Sequence, residues 1–194
     1  MQDNTLNTVI FIGRPGCGKG TQTAILAEHL GWNTFSTGNS FKKLRDEESM
    51  LGNRIRESFD KGKLMPDWFA SYLFEEAFLT LSAQTGMVCE GFPRSLPQAE
   101  LADDLLHWLS RPYKAIHLAI SDEEAVRRQL DRSKTEDRPD SNDEAKIRNR
   151  LAVYRDQTEP ALVFFKEHGT LIEINGEQSR EAIADEVLKA VHAA

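Results

Sequence analysis

Short apolar runs alternate along the chain with longer stretches whose apolar positions recur every three or four residues. That rhythm predicts a parallel sheet covered by helices on both faces. Strands are expected at Thr8–Ile12, Asn33–Phe35, Met87–Cys89, Ala115–Ile120 and Thr170–Ile174, with helices filling the gaps. The clearest helix runs from Pro66 to Leu81, where Trp68, Tyr72, Leu73, Ala77, Phe78 and Leu81 fall at helical spacing and Pro66-Asp67 supplies a start. Its aromatic stripe reads as core rather than as a platform for stacking bases. Two segments break the rhythm. Thr37 to Met65 is helical and polar where a short connection would suffice, and Arg132 to Asn142 is charged without an apolar period. Both read as insertions at the mouth of the sheet. At 194 residues the chain suits one well-buried core and is too short for two independent domains.

Ligands of open α/β sheets bind beyond the carboxyl ends of the strands, and the residues there are polar and glycine-containing. The first strand leads into Gly13-Arg14-Pro15-Gly16-Cys17-Gly18-Lys19-Gly20-Thr21, followed by a helical stretch from Gln22 to Leu30. This is the G-x-x-x-x-G-K pattern in its strand-to-helix setting. Glycines let backbone N–H groups turn inward, the helix N-terminus adds partial positive charge and Lys19 adds a full one, a combination that fits a polyphosphate. The residue after Lys19 is Gly20, and the hydroxyl arrives one position later as Thr21. Ser36-Thr37-Gly38-Asn39 follows the second strand, Glu90-Gly91-Phe92-Pro93-Arg94 the third and Asn175-Gly176 the fifth.

Formal net charge is −7 at pH 7, so a broad basic footprint for nucleic acid is not expected, and an anionic ligand must be held by local positive charge. Arg94, Arg127, Arg128, Arg132, Arg138, Arg148 and Arg150 supply candidates. On a helix Arg128 and Arg132 share a face, whereas Arg127 turns toward solvent. Arg127 and Arg148 read as solvated surface charges; Arg94, directly after a strand, reads as a fork for phosphate oxygens. His29, His107, His117, His168 and His192 lie away from the strand ends, so no general base is suggested by position. A phosphate acceptor, with a second pKa of about 6, needs none. Positioning and charge neutralisation suffice, and the inventory favours transfer between phosphates over phosphorylation of an alcohol. Magnesium is the expected metal, with Thr21 a direct ligand candidate and Glu90 a candidate for its hydration shell or for an ion pair with a neighbouring arginine. Cys17 and Cys89 form no zinc or disulfide spacing. With no leader-like or membrane-spanning run, a cytoplasmic location is expected.

Gly13 to Gln22, Ser36-Thr37-Gly38, Gly62 to Pro66, Gly91 to Ala99, Arg150 to Tyr154 and Thr158-Glu159-Pro160, in this order and spacing, resemble the adenylate kinases among the nucleoside monophosphate kinases. The resemblance implies a P-loop NTPase-type three-layer α/β/α fold with a five-stranded parallel sheet in a single domain. Its core would be 1–36, 66–131 and 143–194, with a mobile monophosphate-binding segment at 37–65 and a short lid at 132–142 that lacks zinc. It implies reversible, magnesium-dependent transfer of the ATP γ-phosphoryl group to AMP, giving two ADP, by a monomer. Gly16, Cys17, Gly18, Lys19, Gly20, Thr21, Arg128, Arg132 and Gln178 would bind ATP. Thr37, Lys42, Lys63, Leu64, Met65, Gly91, Arg94, Gln98, Arg138 and Arg150 would bind AMP, with Lys19, Arg94, Arg132, Arg138 and Arg150 around the transferred group. The Gln98 amide, able to pair with two edges of adenine, points to AMP.

The chain departs from the family pattern at Asn39 and Glu90, where aspartate is usual, and at Lys42, where arginine is usual. Lysine keeps the charge but loses the fork. In the lid, Arg138-Pro139-Asp140-Ser141 lacks the second of two adjacent aspartates, with Asp143 close by. Two other readings stay open on these grounds: a CMP, UMP or GMP acceptor, and an ATP-binding regulatory module with weak transfer.

Overall fold

Thr8–Ile12 is buried along its whole length and forms the central strand, β1, as expected of a strand covered on both faces. A computed structural model describes residues 5–60, 65–135 and 143–194. Four further strands, β2 (Asn33–Ser36), β3 (Met87–Glu90), β4 (Tyr113–Ala119) and β5 (Leu171–Asn175), complete a sheet of order β2-β3-β1-β4-β5. Every pairing is parallel, with Ile10 opposite Cys89 on one side and Ala115 on the other. The strand expectations hold to within two residues; β4 starts at Tyr113 rather than Ala115 and stops short of Ile120.

Alternation along the strands sends side chains into two cores. Ile10, Ile12, Phe35, Cys89 and Ala115 face α4 (Asp67–Leu79), α5 (Leu96–Trp108) and α8 (Glu159–Glu167). Val9, Phe11, Val88, Ile116 and Leu118 face α1 (Lys19–Leu30), α6 (Asp122–Ser133), α7 (Glu144–Val153) and α9 (Arg180–His192). A π-helical turn, Tyr154–Thr158, joins α7 to α8. The insertion after β2 is helical as expected, forming α2 (Thr37–Arg45) and α3 (Met50–Asp60).

The α4 stripe needs correction. Trp68 is 69% exposed and Tyr72 49%, while Phe69, Leu73, Phe74 and Phe78 are buried. Aromatic residues lie on more than one side of this helix, so spacing alone admits two rotations. The observed one stacks Phe74 on Phe92 at 4.4 Å and sets it edge-on to Phe35 at 5.7 Å. β2 supplies Phe35 and the segment after β3 supplies Phe92, and these partners decide the rotation.

β1 connects to β2 beyond β3 on one side, and β4 lies on the other. The crevice at the carboxyl end of β1 is therefore flanked by loops running in opposite directions, the usual ligand position in such sheets.

Candidate active site

The glycine loop leaves β1 and enters α1 at Lys19, three residues earlier than the Gln22 expected, with Gly18 left-handed at the cap (φ 98°). Gly16 is also left-handed (φ 91°), and a Cβ there would lie 3.1 Å from Gln129 Cγ and 3.2 Å from the Ala125 carbonyl oxygen. Only glycine lets the loop turn this close to α6. Lys19 Nζ donates to the carbonyls of Gly13 at 2.6 Å and Arg14 at 3.1 Å, and Cys17 is buried beneath with its sulfur 3.5 Å from the ammonium. Lys19 is thus held over the loop by acceptors that a phosphate could replace. Thr21 is exposed in the first turn of α1.

Arg14 braces the loop, and sequence reasoning missed it. Its guanidinium donates to Asp122 Oδ1 at 2.9 Å, Glu159 Oε1 at 2.9 Å and the Ile120 carbonyl at 3.1 Å, and lies 5.7 Å from the centre of the Tyr154 ring. These partners come from the start of α6, the start of α8 and the residue after β4. No local pattern in the sequence announces them.

At the end of β3, Glu90 accepts from Ser36 Oγ at 3.0 Å, and its carboxylate oxygens lie 3.5 and 3.6 Å from where a Cβ on Gly20 would stand. The carboxylate therefore sits against the helix turn that carries Thr21. Next along, Gly91 (φ 78°) leaves no room for a side chain: a Cβ would stand 2.6 Å from Thr37 Oγ1 and 3.3 Å from Arg94 Nη2. Its carbonyl accepts from Thr37 Oγ1 and from Arg94 Nε, both at 2.8 Å. Thr158 Oγ1 fixes the Arg94 carbonyl at 2.8 Å. Crowding by protein, then the charge of Arg150, pushes the Arg94 guanidinium below its ordinary pKa, and Glu90 partly offsets this. Arg94 remains open to solvent along the crevice and stays charged, so an anion there would relieve an unbalanced positive field. Arg150 Nη1 donates to Gln129 Oε1 at 3.2 Å, which links it to the helix behind Gly16.

Thr37, Gly91 and Arg94 are thus bonded to one another at the end of β3, Glu90 and Arg150 interact electrostatically with Arg94, and Lys19 lies over its own loop at the end of β1. Other expected residues are committed to local bonds: Arg128 Nε donates to Glu124 Oε1 at 2.6 Å, and Gln178 Nε2 to the Asn175 carbonyl at 3.2 Å and Glu186 Oε1 at 3.0 Å. Arg127 and Arg148 are exposed and paired with acids on their own helices, in keeping with the surface role read for them. Lys42 is exposed on α2, Met65 packs at the edge of the core, and Arg132 is exposed near the end of α6. Lys63, Leu64 and Arg138 lie outside the described residues. Gln98 is 4% exposed; its Oε1 accepts from the Arg94 backbone N–H at 2.8 Å and its Nε2 donates to Asp67 Oδ1 at 3.2 Å.

A magnesium ion carried by phosphates asks little of the protein beyond one or two oxygen ligands and retained waters. Thr21 and Glu90, on adjoining elements at the loop, fit that demand. Among the described residues no group of three or more His, Cys, Asp or Glu side chains gathers to hold a metal, and no helix is long and apolar enough to cross a membrane.

A glycine loop capped by lysine at a helix N-terminus, in a parallel sheet of order 2-3-1-4-5, with Arg94 after the neighbouring strand and Arg150 on α7, defines a P-loop phosphotransferase fold. The family model described as adenylate kinase matches residues 11–170. The chain is 40% identical over 184 residues to adenylate kinase 1 of Synechocystis, covering 94% of this chain and 96% of that protein. It is 37% identical over 189 residues to an adenylate kinase of Maricaulis maris, covering 96% and 98% of the two chains. An adenylate kinase of Thermus thermophilus is 38% identical over 169 residues, with 87% and 88% covered. The chain belongs to the adenylate kinase family.

Proposed function

We propose that this crevice passes the γ-phosphoryl group of ATP to the phosphate of AMP, reversibly, giving two ADP. What supports the reading is that a glycine loop with Lys19 over it and a crowded, solvent-open Arg94 stand at the same, carboxyl end of neighbouring strands β1 and β3. Gly16, Cys17, Gly18, Lys19, Gly20 and Thr21 would hold the donor phosphates, with Arg128 and Gln178 on that flank. Thr37, Lys42, Met65, Gly91, Arg94 and Gln98, together with Lys63 and Leu64, would form the acceptor side.

The acceptor phosphate is already ionised, so the protein supplies no base. Its work is alignment and charge neutralisation. Lys19 would leave its loop carbonyls for the donor phosphates, Arg94 would grip the acceptor phosphate, and Arg132, Arg138 and Arg150 would surround the group in flight. Magnesium bound with the nucleotide would spread negative charge away from the transferred group, with Thr21 and, through water, Glu90 as its protein contacts. Closure of segments 37–65 and 132–142 over both nucleotides would keep water from taking the phosphoryl group. The chain would act as a cytoplasmic monomer without nucleic-acid or membrane partners.

A coupled assay of ADP formation from Mg·ATP with AMP, CMP, UMP, GMP or no acceptor tests the reading. Rapid, AMP-dependent turnover is expected, reduced at least about 10²-fold in folded Lys19→Ala or Arg94→Ala. Near-normal rates in those variants would overturn the assignment, and a preference for another acceptor would move it within the nucleoside monophosphate kinases.

A further inference from the structure

We propose that Asp67 is a positioning residue that sets the base selectivity of the acceptor site by locking the Gln98 amide in one of its two orientations. The inference rests on the reading that Gln98 faces the acceptor base. A terminal amide is nearly symmetric in shape but not in chemistry, since one end donates two hydrogens and the other accepts. Gln98 is nearly buried, with a fixed partner at each end: the Arg94 backbone N–H meets the oxygen at 2.8 Å, and an Asp67 carboxylate oxygen meets the nitrogen at 3.2 Å. Rotating the amide by half a turn would set its NH2 against the Arg94 N–H and its oxygen against the carboxylate. Both contacts would then oppose like with like, and the amide, on a residue only 4% exposed, would lose its partner at each end. The partners themselves therefore dictate the orientation.

These two bonds use one hydrogen and one lone pair of the amide. One hydrogen and one lone pair remain to meet a base. Adenine presents an acceptor at N1 beside a donor at N6, which the remaining pair matches. Hypoxanthine has nearly the same outline but presents a donor at N1 and an acceptor at O6, so it needs the flipped amide. With the flip locked, IMP meets two repulsive contacts where AMP meets two bonds. Selectivity against the 6-oxo purines thus comes from a carboxylate behind the amide, as unpaired polar groups are what a site of this kind discriminates on.

Asp67 stands in the first turn of α4, where a carboxylate also favours the helix dipole. A purely structural role would change thermal stability and leave base selectivity alone. The experiment compares kcat/KM for AMP and IMP, with Mg·ATP as donor, in the unaltered chain, Asp67→Asn and Gln98→Leu, with thermal unfolding of each. Asparagine keeps the shape but can donate to a flipped Gln98 oxygen, which removes one of the two locks. The IMP-to-AMP ratio should rise about 10-fold in Asp67→Asn and should rise in Gln98→Leu as well. An unchanged ratio in Asp67→Asn beside a raised one in Gln98→Leu overturns the role of Asp67 alone, whatever the melting temperature does. An unchanged ratio in both variants overturns the reading of Gln98 as the base contact and the role of Asp67 with it.

Discussion

On the flank of the crevice that carries the glycine loop, Arg14 reaches across 108 residues of chain to Asp122 and 145 to Glu159. On the facing flank, α2 and α3 bury Thr37, Phe41 and Ile55 and leave Lys42 and Lys43 in solvent. The difference follows the work proposed for each side. A cradle made of backbone N–H groups binds phosphate only if the loop's conformation is set beforehand, so tertiary bonds that hold it add directly to affinity. A flank that must admit and release the acceptor gains from few buried contacts, because elements of low local stability are those that can shift without unfolding the rest.

The sharpest way to break this contrast is to cut the brace. Arg14→Ala leaves the glycines and Lys19 in place but removes three charge-assisted or carbonyl bonds and the contact with Tyr154. KM for Mg·ATP should rise about 10-fold, with KM for AMP nearly unchanged. Arg14→Lys should recover only part of the loss, because an ammonium cannot reproduce a fork that spans two carboxylates. Steady-state kinetics with each substrate varied in turn decides it: equal changes in both KM values would mean that Arg14 supports the whole crevice and that the two flanks are not separately built.

The two flanks also differed in how much of them could be read from the sequence. The glycine loop is a local pattern: nine residues directly after an apolar run make the motif, and the start of α1 moved from Gln22 to Lys19, inside it. The polar strand ends likewise follow from short-range patterning, whereas the order β2-β3-β1-β4-β5 was not read from the sequence, because no local pattern says which strands lie side by side. Arg14 and its acids were not legible, because a loop arginine has no sequence signature for partners on distant helices. The buried Arg111 is similar: it donates to the carbonyls of Asn7 and Thr85 at 3.3 and 2.7 Å, at the opposite end of the sheet. The α4 error has another source. Periodicity limits a helix to a few rotations, and Phe35 and Phe92, contributed by other elements, select among them. The Asp67 contact with Gln98 depends in turn on where α4 and α5 begin.

Lys42 sharpens the comparison on the proposed acceptor side. A single ammonium on an exposed helix face is a weakly oriented contact. Lys42→Arg restores a planar fork and should lower KM for AMP about 3-fold, leaving KM for Mg·ATP and the melting temperature essentially unchanged. Titration of AMP at saturating Mg·ATP checks this; an unchanged KM would show that Lys42 does not face the acceptor phosphate and would move it out of the proposed site.

The smallest expected effect lies behind the braced flank. His117 is buried in β4, its Nδ1 is 3.1 Å from Glu173 Oε2, and its Nε2 has no protein partner. Burial pushes its pKa below the ordinary 6.5, with Glu173 pulling the other way and Arg14 adding to the depression. The native state therefore favours the neutral ring, whereas the unfolded chain takes up a proton first as the solution is acidified. Stability from this group is complete above 6.5 and is lost as pH falls through the lower folded value. Between pH 7.5 and 5.5, above the range where carboxylates begin to protonate, the urea midpoint should fall, and His117→Gln should flatten that fall. The Arg14→Ala variant supplies the cross-check, because removing the guanidinium removes part of the depression and should also make the midpoint less sensitive to pH. If the slope in both variants matched that of the unaltered chain, His117 would be uncoupled from the brace, and the electrostatic link between the loop and α8 would rest on Arg14, Asp122 and Glu159 alone.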